Sequence, residues 1–403
     1  MCHAVTVVAY SSSISPDPHQ IHRHHKRTPY AANTFPRESY SWDCSDEALF
    51  YYGAPLNPRT NASALTYWSV YTSPINPFAP KGFKGTCQFP QITHGGLDDS
   101  WQHGRDLYGV YHDLLQFIPD EPGSQVSYRA TNNVITSQVA GMVVDAMYRP
   151  SLATQFPLLI QPASVDSLEP AYSCPAASNL YKSYSVGSST QEWTAHLNAS
   201  RSLYATLDAI SGVPSNDKGF HMSWDHYFDN LSARQCHGKL LPCQIGRTST
   251  CVLQAWANEV YRLGQYEYSY LYRDAPQSLE AAVGSYGVWI AELAQNIRDR
   301  IAGVNPVIYR HNIAHDGSIS RLLSILQVDV MVWPGMGAEV VFEVYSKRGT
   351  TSHFVRVLWG GQVLRSSNPS LGLMDMLDVE VLLAYFDRLA GVRASKMPSI
   401  CNT

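Results

Sequence analysis

The chain has 403 residues, enough for two or three compact units, and 45% of them are hydrophobic, which excludes a disordered chain. Its 29 basic and 33 acidic residues leave a formal net charge of -4, so no global field attracts nucleic acid or an anionic membrane, and any anion site must be local. There is no run of 18 or more apolar residues, which excludes a conventional spanning helix.

In chain order, Met1 to Tyr10 carry a short apolar patch without the basic residues that open a leader, so the given start is expected to be a mature or mis-started N-terminus. Asp17 to His22 is polar where a central strand should be apolar. Residues 1–14 are therefore either a tail or the first strand displaced to His3–Tyr10. Next comes Arg23-His24-His25-Lys26-Arg27-Thr28-Pro29, which sets two guanidinium groups around an imidazole. Arginine forks match phosphate oxygens two at a time, and a neutral imidazole can attack phosphorus. Two blander readings stand beside it: a solvated basic arm, or a metal tract of His19, His22, His24 and His25 that no acidic residue or cysteine joins.

Tyr30 to Gly96 reads as a long excursion rich in Pro, Gly, Asn and aromatics, which either covers a site or is pinned to the surface by a Cys44–Cys87 bridge. A helix is expected from Leu97 to about Gln116, with Asp98 and Asp99 suited to its N-terminal dipole. A strand over Gln125–Thr131 then leads into a helix over Asn133–Met147, leaving Arg129 near an anion-binding turn. Pro150 to Gly303 looks like a helical insertion, with amphipathic segments at Thr194–Ile210, Ala255–Arg273 and Leu279–Ile301. Pro306–Tyr309 reads as a returning strand and Asn312–Ser318 as the loop at its end, holding His315-Asp316. A helix follows with Ile319, Leu322, Leu323 and Leu326 on one face and Ser318 as its cap. Glu339–Tyr345 and Phe354–Trp359 alternate like paired strands around an Arg348-Gly349 turn, and a helix spans Val379–Leu389.

Eight dispersed cysteines without a C-x-x-C pair favour structural disulfides in an oxidising compartment, with buried thiols as the alternative. Sequons at Asn61, Asn198 and Asn230 point the same way, toward a secreted or vacuolar protein.

Arg23-His24-x-x-Arg27-x-Pro29 resembles the N-terminal signature of the histidine acid phosphatases, the second branch of the histidine phosphatase superfamily, which usually carries glycine where this chain has His25. The resemblance implies an α/β fold: a three-layer core with a central mixed sheet flanked by helices, formed by residues 15–149 and 303–403, plus a smaller, mostly helical domain at 150–302. It also implies roles. His24 would be the nucleophile and Asp316 the proton donor, while Arg23, Arg27, Arg129 and His315 would bind the phosphate. Asp229, Cys236, His237 and Pro242 resemble a further family segment, structural or substrate-shaping in role.

A phosphate monoester repels nucleophiles with its own oxygens, so catalysis is mostly electrostatic positioning. The arginines would do this without a metal or other cofactor, and neighbouring cations would keep His24 neutral in acid. Asp316 must hold a proton for the leaving alkoxide, which predicts an optimum of about pH 4 to 6. His25 could crowd the site, narrow the substrate range or point away. The expected partners are small phosphate monoesters. The alternatives are a phytase of the same fold, which should ring its pocket with further cations, and a non-catalytic member that binds a ligand.

Overall fold

The polar segment ahead of the signature is a central strand. The computed structural model describes residues 16–38, 40–44, 58–60, 62, 71, 73–78, 84–148, 156–347 and 349–402, so His3–Tyr10, Asn61 and Arg348 lie outside the described residues. The strands are β1 (Pro16–Arg23), β2 (Val126–Ala130), β3 (Leu158–Leu159), β4 (Cys243–Gln244), β5 (Arg247–Cys251), β6 (Tyr309–Ala314), β7 (Glu339–Ser346), β8 (His353–Trp359), β9 (Gln362–Val363) and β10 (Leu377–Asp378). The helices are α1 (His94–Tyr108), α2 (Val134–Tyr148), α3 (Pro175–Tyr184), α4 (Gln191–Ala199), α5 (Arg201–Ser211), α6 (Lys218–His221), α7 (Asp225–Cys236), α8 (Gln254–Ser269), α9 (Ser278–Ile301), α10 (Asp316–Ile325), α11 (Val379–Ala390) and α12 (Met397–Asn402). None is long and apolar enough to cross a membrane.

The chain divides into two units, Met1–His25 with Asp98–Thr194 and Gln265–Thr403, and Lys26–Leu97 with Ala195–Gly264. The contacts thus place Lys26–Leu97, expected with the sheet, in the second unit, and return Pro150–Thr194 and α9 to the first. The reason is packing, since α9 lies against α3, α10 and α11.

The first unit holds an eight-stranded mixed sheet in the order β10-β8-β7-β1-β6-β2-β3, with β9 on β8. β1 runs parallel to β6, His19 facing Arg310 and Arg23 facing Ala314, and antiparallel to β7. Alternation along the strands gives the sheet two different faces. Toward α9 and α10 it is largely apolar: Ile21, Val340, Phe342, Ile290, Leu293, Ile297, Ile319 and Leu322 share one buried core. Each such side chain contributes roughly 1.5–3 kcal/mol by leaving water.

The other face is buried and polar. Gln20 donates to Glu339 at 2.6 Å and accepts from Tyr309 at 3.2 Å, and the Tyr111 hydroxyl donates to Glu343 at 2.9 Å. These pairings explain a polar strand at the centre of a sheet, because a buried polar group is tolerated once it is hydrogen-bonded. Gly104 lets α1 approach α2 closely: a Cβ there would sit 2.6 Å from the Val143 carbonyl oxygen.

Three local expectations change. Asn312, Ile313 and Ala314 belong to β6 rather than to a loop, since they pair with Ile21, His22 and Arg23. Ser318 does not cap α10; its hydroxyl donates to the Leu168 carbonyl at 2.7 Å, and His315 takes the cap position. The expected helix over Thr194–Ile210 is two, α4 and α5.

In the second unit the Tyr204 and Trp224 rings stack at 3.8 Å, and Trp42, Cys44, Cys87, Phe89 and Ala233 form a small core. Arg234 and Glu38, both buried, form an ion pair. Asn230 is buried as well, donating to the Asn33 carbonyl and accepting from Arg234, so its sequon is closed to a glycan in the folded chain. Among the described residues disulfides join Cys44 to Cys87, Cys174 to Cys401 and Cys243 to Cys251, which suits an oxidising compartment.

Candidate active site

Two strand ends in the first unit carry the site. β1 ends at Arg23, and β6 ends at Ala314, from which His315 caps α10 and Asp316 opens its first turn. The parallel pairing of β1 with β6 puts these ends side by side. The His24 amide donates to the Ala314 carbonyl at 3.0 Å, and the Gly337 amide donates to the His24 carbonyl at 3.1 Å. Gly337 has φ +75°, and the His25 ring lies only 2.9 Å from where its Cβ would be, so a larger residue there would displace the loop.

His24 is buried, with its ring centre 5.3 Å from that of His315. Its Nδ1 lies 3.0 Å from the His25 carbonyl oxygen, an acceptor only, so Nδ1 carries the proton and the lone pair belongs to Nε2. Arg23 sends Nη2 to Asp316 Oδ2 at 3.1 Å and Nη1 to the Pro334 carbonyl at 2.6 Å. The same Asp316 oxygen accepts from Trp333 Nε1 at 2.7 Å and from the Tyr268 hydroxyl at 3.2 Å, and Gly317 donates its amide to Oδ1. His315 Nε2 lies 3.0 Å from Thr131 Oγ1 and 2.9 Å from Glu169 Oε2.

Arg23, His24, His315 and Asp316 are thus brought together. Arg129 is not brought to them by any contact described. On β2 the buried neighbours Tyr128 and Ala130 face α2, so alternation turns Arg129 toward α9. Its guanidinium meets Glu292 at 2.8 Å and Asp166 at 2.9 Å, with Gln161 and Ser167 completing the set. The link to His315 is indirect, since Glu169 follows Asp166 on the same short segment.

Arg27 falls in the second unit. There Asp229 holds it at 2.9 Å and its guanidinium lies 4.1 Å over the Tyr30 ring. Asp229 also accepts from Asn33 at 2.8 Å. His237 bridges the Ala233 carbonyl and the Thr93 hydroxyl, both at 2.6 Å. Burial, with lesser help from Lys26, Lys239 and Arg27, lowers its pKa to about 4.

Buried histidines of the first unit are likewise held neutral. Burial, then Arg310 and Arg300, brings His19 down to about 3. Burial and neighbouring rings depress His22 and His311 as well.

Sequence reasoning missed Trp333, Tyr268, Glu169 and Thr131. None sits in a motif, although Thr131 was the visible end of the strand carrying Arg129.

The model of the histidine phosphatase superfamily (branch 2) matches residues 19–359. Counting factor 60 of Dictyostelium discoideum is 22% identical over 355 residues, 84% of this chain and 78% of that protein. In structure the chain is similar to Hafnia alvei phytase in complex with myo-inositol hexakis sulphate, with TM-score 0.62 and 11% identity over 94% of this chain and 98% of that one. It is also similar to Citrobacter braakii phytase, with TM-score 0.60 and 11% identity over the same shares. At such identities the likeness to the solved structures is one of fold.

Proposed function

The chain belongs to branch 2 of the histidine phosphatase superfamily, and we propose that it hydrolyses phosphate monoesters through a phosphohistidine on His24. The observation that supports this most is the pairing of Arg23 with Asp316 at 3.1 Å, while their sequence neighbours His24 and His315 bring their ring centres to 5.3 Å.

An incoming phosphate competes for the Arg23 fork and so frees Asp316. His24 Nε2 then forms the P–N bond as the P–O ester bond breaks, and Asp316, having taken a proton from acidic solvent once it is freed, gives that proton to the departing alkoxide. Water attacks the phosphohistidine, losing its proton to Asp316, and the P–N bond breaks to release phosphate. His315, held by Glu169 and Thr131, faces the nucleophile and binds a non-bridging oxygen. The phosphate-binding role expected of Arg27 rests on the motif alone, since the structure sets its guanidinium against Asp229 and Tyr30. We assign Arg129 a positioning role, because two carboxylates already engage it and the segment it holds carries Glu169.

Ordinary monoesters are favoured over polyphosphorylated rings. Arg37, Arg59, Lys81 and Lys84 in the long excursion are offset by Asp43, Asp46 and Glu47. Relative rates on phytate and an aryl phosphate separate the two. A ligand-binding protein without turnover is the second reading, favoured by the partners that already occupy Asp316 and Arg129.

Rapid mixing with an aryl phosphate followed by quenching in base should trap an acid-labile phosphoenzyme. It should be absent in H24A and present in D316N. Its absence from the wild-type protein would refute the catalytic reading.

A further inference from the structure

The histidine tract splits when the chain folds. His19 turns toward α9 and His24 joins the site above, while His22 and His25 point to the polar face of the sheet and meet His103 from α1. Their rings are close: the centres of His22 and His103 are 4.7 Å apart, of His25 and His103 5.1 Å, and of His22 and His25 5.4 Å. All three are buried, and one ring nitrogen from each lies within 4.8 Å of the others.

The geometry is that of a partly set coordination shell. His103 Nδ1 and His25 Nε2 are 3.2 Å apart. A tetrahedral zinc ion with Zn–N bonds of ~2.0–2.1 Å spaces its ligand nitrogens by ~3.3–3.4 Å, so one edge of the tetrahedron already has its length. The far nitrogen of His103, Nε2, lies 3.0 Å from Glu339 Oε2, and Glu339 is fixed in turn by Gln20 at 2.6 Å. A carboxylate behind an imidazole fixes the tautomer and leaves the opposite nitrogen to bind metal. Here that nitrogen is Nδ1, the one facing His25.

A simple hydrogen-bonded cluster accounts for the His103–His25 pair but not for His22. His22 is wholly buried, yet neither of its ring nitrogens makes a hydrogen bond of good geometry among the described residues; the Arg23 backbone bears on it only weakly. Such an orphaned polar ring costs free energy unless something binds it. His311 stands 4.7 Å behind it, with Nδ1 on the Tyr309 hydroxyl at 2.8 Å and Nε2 without a hydrogen-bond partner among the described residues.

We propose that His22, His25 and His103 form a buried site for one divalent transition cation of the zinc class, with Glu339 orienting His103 and the fourth position left to water or His311. Imidazole nitrogens in this number suit Zn²⁺, Co²⁺ or Cu²⁺ rather than Mg²⁺ or Ca²⁺. Closing the shell needs the His22 nitrogen to move inward by at most ~1.4 Å, from within 4.8 Å of its neighbours to the ~3.4 Å spacing of a tetrahedral ion. The site is separate from the proposed chemistry, since none of its ligands attacks phosphorus or moves a proton. It gives a reason for an imidazole at position 25, and it would stiffen the loop whose His25 carbonyl orients His24.

The test uses the untagged full chain stripped with chelator. Titration with Co²⁺ should saturate at one equivalent with the intense visible bands of four-coordinate, nitrogen-ligated cobalt. X-ray absorption of the Zn²⁺-loaded protein should show at least three imidazoles. H22Q and H103Q should lose the cobalt bands, H112Q on the surface should keep them, and E339Q should keep them with affinity weakened about 10- to 100-fold. Lack of saturable binding, bands unchanged in both H22Q and H103Q, or two or fewer imidazoles on zinc would overturn the proposal. Should the variants fail to fold, absorption on the wild-type protein decides alone. A phosphoenzyme without the metal, or the metal without a phosphoenzyme, would tell the two readings apart.

Discussion

Replacing His237 by glutamine should flatten the loss of stability that acid inflicts on the second unit. In the folded chain the ring takes a proton only near pH 4, against 6.5 for an ordinary histidine, mainly because burial disfavours the charged ring. As pH falls through 6.5 the unfolded chain binds that proton first, so the contribution present above pH 6.5 disappears on the way down to about 4. The full gap is worth about 3 kcal/mol, of which about 2.5 kcal/mol is already lost at pH 4.5. Glutamine keeps a polar group in that position but cannot titrate. Urea unfolding at pH 7 and pH 4.5 measures the difference: with slopes of about 2–3 kcal/mol/M, the wild-type midpoint should fall by about 1 M more than that of H237Q. Parallel pH profiles for the two proteins would refute the reasoning. The point bears on the proposed function, because an enzyme with the expected acid optimum would have to keep its fold there.

D316N should reduce turnover of an alkyl phosphate by about 10²- to 10⁴-fold and that of a nitrophenyl phosphate far less, since only the poor leaving group needs the proton. Steady-state rates on the two substrates check this, and equal losses would remove Asp316 from the acid role. E38Q leaves the Arg234 charge buried with a neutral partner and should destabilise the second unit by about 3–5 kcal/mol, read as a lower thermal midpoint.

Much of the candidate site's placement was legible because its residues occupy strand ends, where a motif and a helix start coincide. Arg23-His24 and His315-Asp316 were readable as two loops, and the pairing of β1 with β6 supplies the contact between them. The identity of β1 was harder to see. Gln20 looks unfit for a core until Glu339, Tyr309 and His103, all distant in sequence, are placed around it. Arg129 could have been read better: Tyr128 and Ala130 are the core-like members of an alternating strand, which puts the arginine on the opposite face. Trp333 and Glu169 carry no local signal at all, because each acts through one side chain in an irregular stretch. The buried Asn230 shows the limit of a three-residue motif, for a sequon says nothing of the helix face on which it lands.

The bond between Cys174 and Cys401 closes a loop of 227 residues around most of the first unit. In the chain-entropy picture a loop of that size restricts the unfolded ensemble by about 5 kcal/mol. No ring of this kind can close during synthesis until residue 401 has cleared the ribosome, so the nascent sheet and α9 must hold together on packing alone, and the covalent latch arrives as a late act of maturation. A reducing environment would return the finished protein to that earlier, looser condition without altering a single residue of the site.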